Sequence, residues 1–149
     1  MDETSDWTCW YCLEPRSKGT FPGEIQKRFG IYQIRIVDAS GCPMRLGRMF
    51  KCDESGVVYI GRSGVQKTRT VGVRLEEWLK RYHSGAESYA RVKPTLPHDH
   101  SLQVSALYLP ASEVKAKEAE EINKYLKKFG EPPPFNSNLP GKKLIKART

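Results

Sequence analysis

The segment Gly30-Ile31-Tyr32-Gln33-Ile34-Arg35-Ile36-Val37 alternates apolar and polar side chains, the period of a β-strand with one face turned inward. Further on, Val57-Val58-Tyr59-Ile60 is a short apolar run, broken by Gly61-Arg62-Ser63-Gly64. Between them, Asp38 to Ser55 is rich in Gly, Ser, Asp and Pro and reads as a long loop. The two runs are expected to pair as a hairpin around it. An isolated hairpin is marginal in water, so further strands or helices must cover its apolar face.

The rest of the chain supplies them. Val71 to Tyr82 places Leu75, Trp78, Leu79 and Tyr82 on one face of a helix, with Gly85 as a stop. Residues 84–100, with Pro94 and Pro97, read as a polar loop. Leu102 to Leu109 alternates again and is a third strand, ended by Pro110. Ser112 is a candidate N-cap for a helix from about Glu113 to Phe129. Val114, Ile122, Tyr125, Leu126 and Phe129 form its buried stripe; Gly130 and Pro132-Pro133-Pro134 close it. The expected fold is α+β: a small three-stranded antiparallel sheet flanked by helices, in the order β-β-α-β-α. The expected organisation is an irregular N-terminal arm over 1–29, a domain over 30–138 and a basic tail over 139–149.

Composition narrows the function. The net charge is +8 over 149 residues, a balance that favours polyanions, nucleic acid first, because neutralised phosphates release counterions. No stretch approaches the ~18 apolar residues that would span a bilayer. The acidic start Met1 to Asp6 has no apolar run, unlike a signal peptide, and the expected location is the cytoplasm.

Gly30-Ile31-Tyr32 and Tyr59-Ile60-Gly61 are, letter for letter, the two signature triplets of the GIY-YIG nuclease family. The chain resembles that family from residue 30 to about 138. The resemblance implies an endonuclease that hydrolyses phosphodiester bonds in DNA with Mg²⁺ or Mn²⁺. It further implies an Arg on the first helix, a Glu on a later helix and an Asn beyond it; Arg74, Glu118 and Asn136 are the matching residues, with Asn138 as a substitute for the last. It assigns Tyr32 to activating water, with Tyr59 supporting it or binding phosphate. Where many members carry a His one turn after the Arg, this chain has Trp78.

The chemistry of the residues agrees with those assignments. Hydrolysis needs a water made nucleophilic and a cation for the developing charge. A tyrosine is a poor base unless cations depress its pKa, and Arg62 and Arg74 are candidates for that work. Arg74 keeps its proton, which suits it to stabilising the phosphate in the transition state. The ordinary explanation of half-buried aromatics on strands is packing. Among Glu113, Glu118, Glu120 and Glu121, only Glu118 lies four residues before Ile122 on the buried stripe. A carboxylate there is costly without a task, so Glu118 is the expected Mg²⁺ ligand and Glu121 the alternative. Arg69, Lys67, Lys80, Arg81 and His83 follow the second triplet and are expected to position the DNA backbone.

Cys9-x-x-Cys12, with Cys42 and Cys52, makes a candidate structural Zn²⁺ site that would staple the arm to the 38–56 loop; His98 and His100 are alternative ligands. No base-reading module is recognisable, so specificity would come from a homodimer or a separate partner. Two other readings stand beside the nuclease: a non-catalytic nucleic-acid-binding module of the same fold, and a zinc-stabilised protein-interaction domain.

Overall fold

The computed structural model describes residues 6–14, 22–64, 69–80 and 84–136. Its elements in chain order are β1 (Tyr11–Glu14), α1 (Gly23–Lys27), β2 (Gly30–Val37), β3 (Leu46–Gly47), β4 (Cys52–Asp53), β5 (Val57–Arg62), α2 (Val71–Leu79), α3 (Ser84–Val92), β6 (Ser101–Tyr108) and α4 (Ala111–Phe129). β1, β6, β2 and β5 form one antiparallel sheet in that order, and β3 and β4 a small separate ladder. The fold is therefore α+β. None of the described helices is long and apolar enough to cross a membrane.

Alternation along the strands divides the core in two. Tyr32, Ile34 and Ile36 of β2, with Leu102, Val104 and Ala106 of β6, point to one face. There they meet Ile25 of α1, Val71, Leu75 and Trp78 of α2, and Ala86 and Tyr89 of α3. Ile31 and Leu107 point to the other face and pack on Val114 of α4; Val57 and Ile60 pack on Ile122, about two turns further along. Each inward residue of a strand thus has a helix above it, the arrangement that a period of two demands.

Three departures from the sequence reading have plain causes. The sheet has four strands, not three: Leu13, fully buried, belongs to β1, which pairs with β6 inside the segment read as irregular. Residues read as a polar loop include α3, whose exposed Glu87 and Arg91 mask a buried face of Ala86 and Tyr89. α4 begins two residues early, after Pro110, so Ser112 lies inside the helix rather than capping it. Its other end is as expected: Gly130 adopts φ +82°, the left-handed conformation that glycine favours at a helix C-terminus. Tyr82 and the last turn expected of the first helix lie outside the described residues, as do the tail from residue 139, Lys67, Arg81, His83 and Asn138.

The 38–56 loop is held by α4. Asp53 is buried; its carboxylate accepts hydrogen bonds from the Tyr125 hydroxyl at 2.6 Å and the Ser55 hydroxyl at 2.6 Å. Arg48 pairs with Glu131 at 2.8 Å, and the Phe50 N–H donates to the Phe129 carbonyl at 3.0 Å. Cys9, Cys12, Cys42 and Cys52 are all exposed, and none is in a disulfide. Among the described residues no three His, Cys, Asp or Glu side chains gather as a metal site. The loop is thus braced by α4 and the residues just beyond it.

Candidate active site

The two triplets sit side by side. In the β2–β5 ladder Tyr32 lies opposite Gly61, and Ile34 opposite Tyr59. Tyr32 and Tyr59 are therefore diagonal neighbours on one face, with ring centroids 6.0 Å apart. The glycines are explained by close approach. A Cβ on Gly61 would fall 2.6 Å from the Tyr32 hydroxyl and 2.6 Å from the Tyr59 ring; one on Gly30 would strike the Leu107 carbonyl. Gly61 is a notch in the edge strand into which the Tyr32 ring leans.

Around that notch three charged side chains converge. Glu118, a quarter exposed, projects from α4, and its Oε1 is 3.4 Å from Arg62 Nε. The Glu118 charge reaches both tyrosines, as does that of Arg74 on α2. Burial raises the Glu118 carboxyl above the usual carboxylate range, and Arg62 and Arg74 only partly offset it. Burial likewise pushes Tyr32 and Tyr59 well above the ordinary phenol value; Tyr59 and Glu118 add to the shift at Tyr32, against Arg74. The Tyr32 hydroxyl is sealed from solvent and, although the Tyr59 side chain interacts with it, has no partner at good hydrogen-bond geometry among the described residues. A poorly satisfied hydroxyl in a core costs stability, so strand packing alone does not account for it. Glu121 turns instead to Lys117 and Lys124, and Glu120 is exposed beside the same lysines.

Several residues without a motif of their own position the cluster. Glu77 on α2 receives Arg74 at 2.9 Å and Arg69 at 2.8 Å, holding two guanidiniums together on one carboxylate. Ser63, buried, exchanges two hydrogen bonds with the Gly30 backbone and so closes the end of the hairpin. Thr70 caps α2 by accepting from the Val73 N–H and donates to the Gln26 carbonyl. A capping signal was present at Thr70, but nothing in the local sequence shows that Glu77 faces two arginines.

Asn136 does not face the tyrosines' hydroxyls as a free polar group. Its Oδ1 accepts from the Ile60 N–H at 2.9 Å, and its Nδ2 donates to the Ile60 carbonyl at 2.8 Å. With Phe135 N–H donating to the Val58 carbonyl at 2.7 Å, it caps the open edge of β5. Asn136 thus fixes the second triplet through its backbone. Trp78, the departure from the family pattern, is fully buried against Tyr89, with ring centroids 5.7 Å apart. Lys80 is exposed at the end of α2. His98 and His100 lie apart from the cluster, lining an open concavity of about 400 Å³ with Glu14, Tyr89 and Lys93. His100 is held there by Tyr89 at 2.8 Å.

The arrangement offers two phenols, two arginines and one partly desolvated carboxylate around a notch at the sheet edge, with Arg69 held beside Arg74 on Glu77. That set can bind an anion with several guanidiniums and present an oxygen donor beside it. Compared with family models, curated proteins and solved structures, the chain matches none.

Proposed function

We propose that this protein is a divalent-metal-dependent endonuclease of the GIY-YIG type that hydrolyses phosphodiester bonds in DNA. In this reading β2, β5 and β6 with α2 and α4 are the nuclease framework, and β1 is an added strand. The observation that carries it is the convergence of Tyr32, Tyr59, Arg62, Arg74 and Glu118, from four separate elements, on one notch. A structural ion pair needs two of these groups; phosphoryl transfer uses all five.

Glu118 fits a hard cation: it is a single carboxylate, partly withdrawn from water, on an otherwise apolar helix face. Mg²⁺ is commonly held by one or two carboxylates with several waters, and when bound there it supplies Lewis-acid stabilisation of the phosphoryl oxygens. Arg74, with Arg69 beside it on Glu77, holds the phosphodiester and stabilises its developing negative charge. Tyr32, sealed in the free protein, orients the attacking water and takes its proton once the bound phosphodiester and cation open the notch and lower its pKa. Tyr59 supports Tyr32, and Arg62 exchanges Glu118 for a phosphate oxygen. Asn136 and Gly61 keep the hairpin in the geometry these steps need.

The test is cleavage of plasmid DNA by the purified chain with Mg²⁺ against the same reaction in EDTA. Metal-dependent cutting that is lost in Arg74→Ala and Glu118→Gln is expected. Salt-sensitive binding without cutting of any DNA form would favour the non-catalytic module, for which the buried Trp78 in place of a histidine is the supporting observation.

A further inference from the structure

The 38–56 loop ends outward in Met49 and Phe50, which are 72% and 66% exposed. Tips of long loops are ordinarily polar and loosely held; this one is apolar and braced. The Phe50 backbone is bonded to Phe129, and Arg48, its side chain only 11% exposed, is tied to Glu131 and the Pro132 carbonyl. Gly130 admits the Phe50 ring against the backbone, since a Cβ there would sit 2.8 Å from it. The ring is thus packed on one side and presented on the other.

Cations surround this tip. Lys51 and Lys128 lie 5.8 Å and 5.3 Å from the Phe129 ring centroid, and Arg45 and Lys127 are exposed nearby in sequence. The neighbouring acids are engaged: Glu54 by Arg45, Glu131 by Arg48, Asp53 by Tyr125. Lysine is depleted in the cores of protein–protein interfaces, whereas apolar wedges flanked by cations suit a nucleic-acid duplex.

The tip also lies in line with the notch. Glu118, Ile122, Tyr125 and Phe129 share one stripe of α4, so the eleven-residue step from Glu118 to Phe129 spans about 16 Å. From Gly130 the chain returns along β5 to Phe135 and Asn136, which bond to Val58 and Ile60. A duplex lying along this edge covers both places, about five base pairs apart at 3.4 Å per step.

We propose that Met49 and Phe50 form a second duplex contact, an apolar wedge seated between bases about five base pairs from the Glu118 end of the notch, with Lys51 and Lys128 on the flanking phosphates. This rests on the nuclease reading. It assigns the loop to DNA placement rather than to chemistry.

The test measures binding of labelled duplexes of about 10 and 20 base pairs and of a DNA hairpin with a stem of about three base pairs, too short to reach both places, in EDTA at low salt. The full chain is compared with Met49→Ser/Phe50→Ser and with Lys51→Glu/Lys128→Glu. On the longest duplex each double variant is expected to lose about tenfold in affinity, and on the hairpin to match the parent. Equal affinity at every length, or an equal loss at every length, overturns the proposal. If the unsubstituted chain binds no duplex at all, the nuclease reading itself fails. A tip substitution that abolishes self-association instead would assign the surface to a second copy of the chain and overturn the DNA contact.

Discussion

Arg62 Nε stands 3.4 Å from Glu118 Oε1, joining the residue after the second triplet to the carboxylate on α4. Burial still outweighs this partner, because the Glu118 carboxyl remains raised above its ordinary value. A group whose folded pKa is raised contributes stability that is present below the unfolded value and lost as pH rises through the folded one. Near neutral pH the ionised Glu118 therefore weakens the fold. Glu118→Gln is expected to raise Tm at pH 7–8 by about 2 °C, with the gain shrinking as the pH falls towards 4.5, while cutting is lost. Thermal scans across pH check this; a lower Tm for Glu118→Gln at pH 7–8 would show that the ion pair outweighs the burial.

Tyr32 carries the same signature in a phenol. Its hydroxyl is buried with the Tyr59 side chain beside it but no hydrogen bond of good geometry, so Tyr32→Phe removes a poorly satisfied group and is expected to leave stability equal or higher by up to about 1 kcal/mol. Its raised pKa means that the hydroxyl is neutral through the physiological range in the free protein. Ultraviolet titration is expected to show Tyr32 and Tyr59 un-ionised at pH 10, and the loss of stability above that pH is expected to be smaller in Tyr32→Phe.

Gly61 has no room for a side chain. A Cβ would meet the Tyr32 hydroxyl and the Tyr59 ring at 2.6 Å, and both rings are confined by the core. Gly61→Ala is expected to cost about 1–3 kcal/mol, read from chemical denaturation. It should also abolish cutting, because either ring must move to admit the methyl group.

Glu77 gathers Arg69 and Arg74, which sets it apart from a residue that merely binds DNA. Glu77→Gln frees positive charge, so duplex affinity is expected to stay equal or tighten. The loosened Arg74 should lower kcat about 100-fold. Arg69→Ala should instead weaken binding and reduce the slope of log K against log salt by about 0.9.

Tyr125 and Asp53 anchor the long loop. Tyr125→Phe leaves a buried carboxylate short of its 2.6 Å donor and is expected to cost about 2 kcal/mol. Protease cleavage within 38–56 should rise in step, since the loop depends on α4 for its order.

The hairpin, β6 and α4 were legible because their apolar periods are long and end in clear breakers such as Gly61, Pro110 and Gly130. The phase of α4 also singled out Glu118 from its three neighbours, and the structure sets it, not Glu121, beside Arg62. What stayed hidden depends on partners distant in sequence. β1 is four residues long and is a strand only because β6 offers it an edge. α3 was obscured by its polar face. Glu77 reads as one more surface acid until α2 turns it towards Arg69 and Arg74. Asn136 was read as a catalytic group, yet both ends of its amide are taken by the Ile60 backbone, a pairing that no local signal carries. The bracing of the long loop by Asp53, Arg48 and Phe50 was hidden for the same reason, since their partners lie on and just beyond α4.

The most direct measurement is the conversion of supercoiled plasmid to nicked or linear product by the intact chain in Mg²⁺, beside Tyr32→Phe verified as folded. Cutting by the parent protein, and a fall of at least about 100-fold in the variant, is the expected result. Undiminished cutting by Tyr32→Phe, or none by the parent protein on any DNA substrate, would contradict the assignment of the chemistry to this notch.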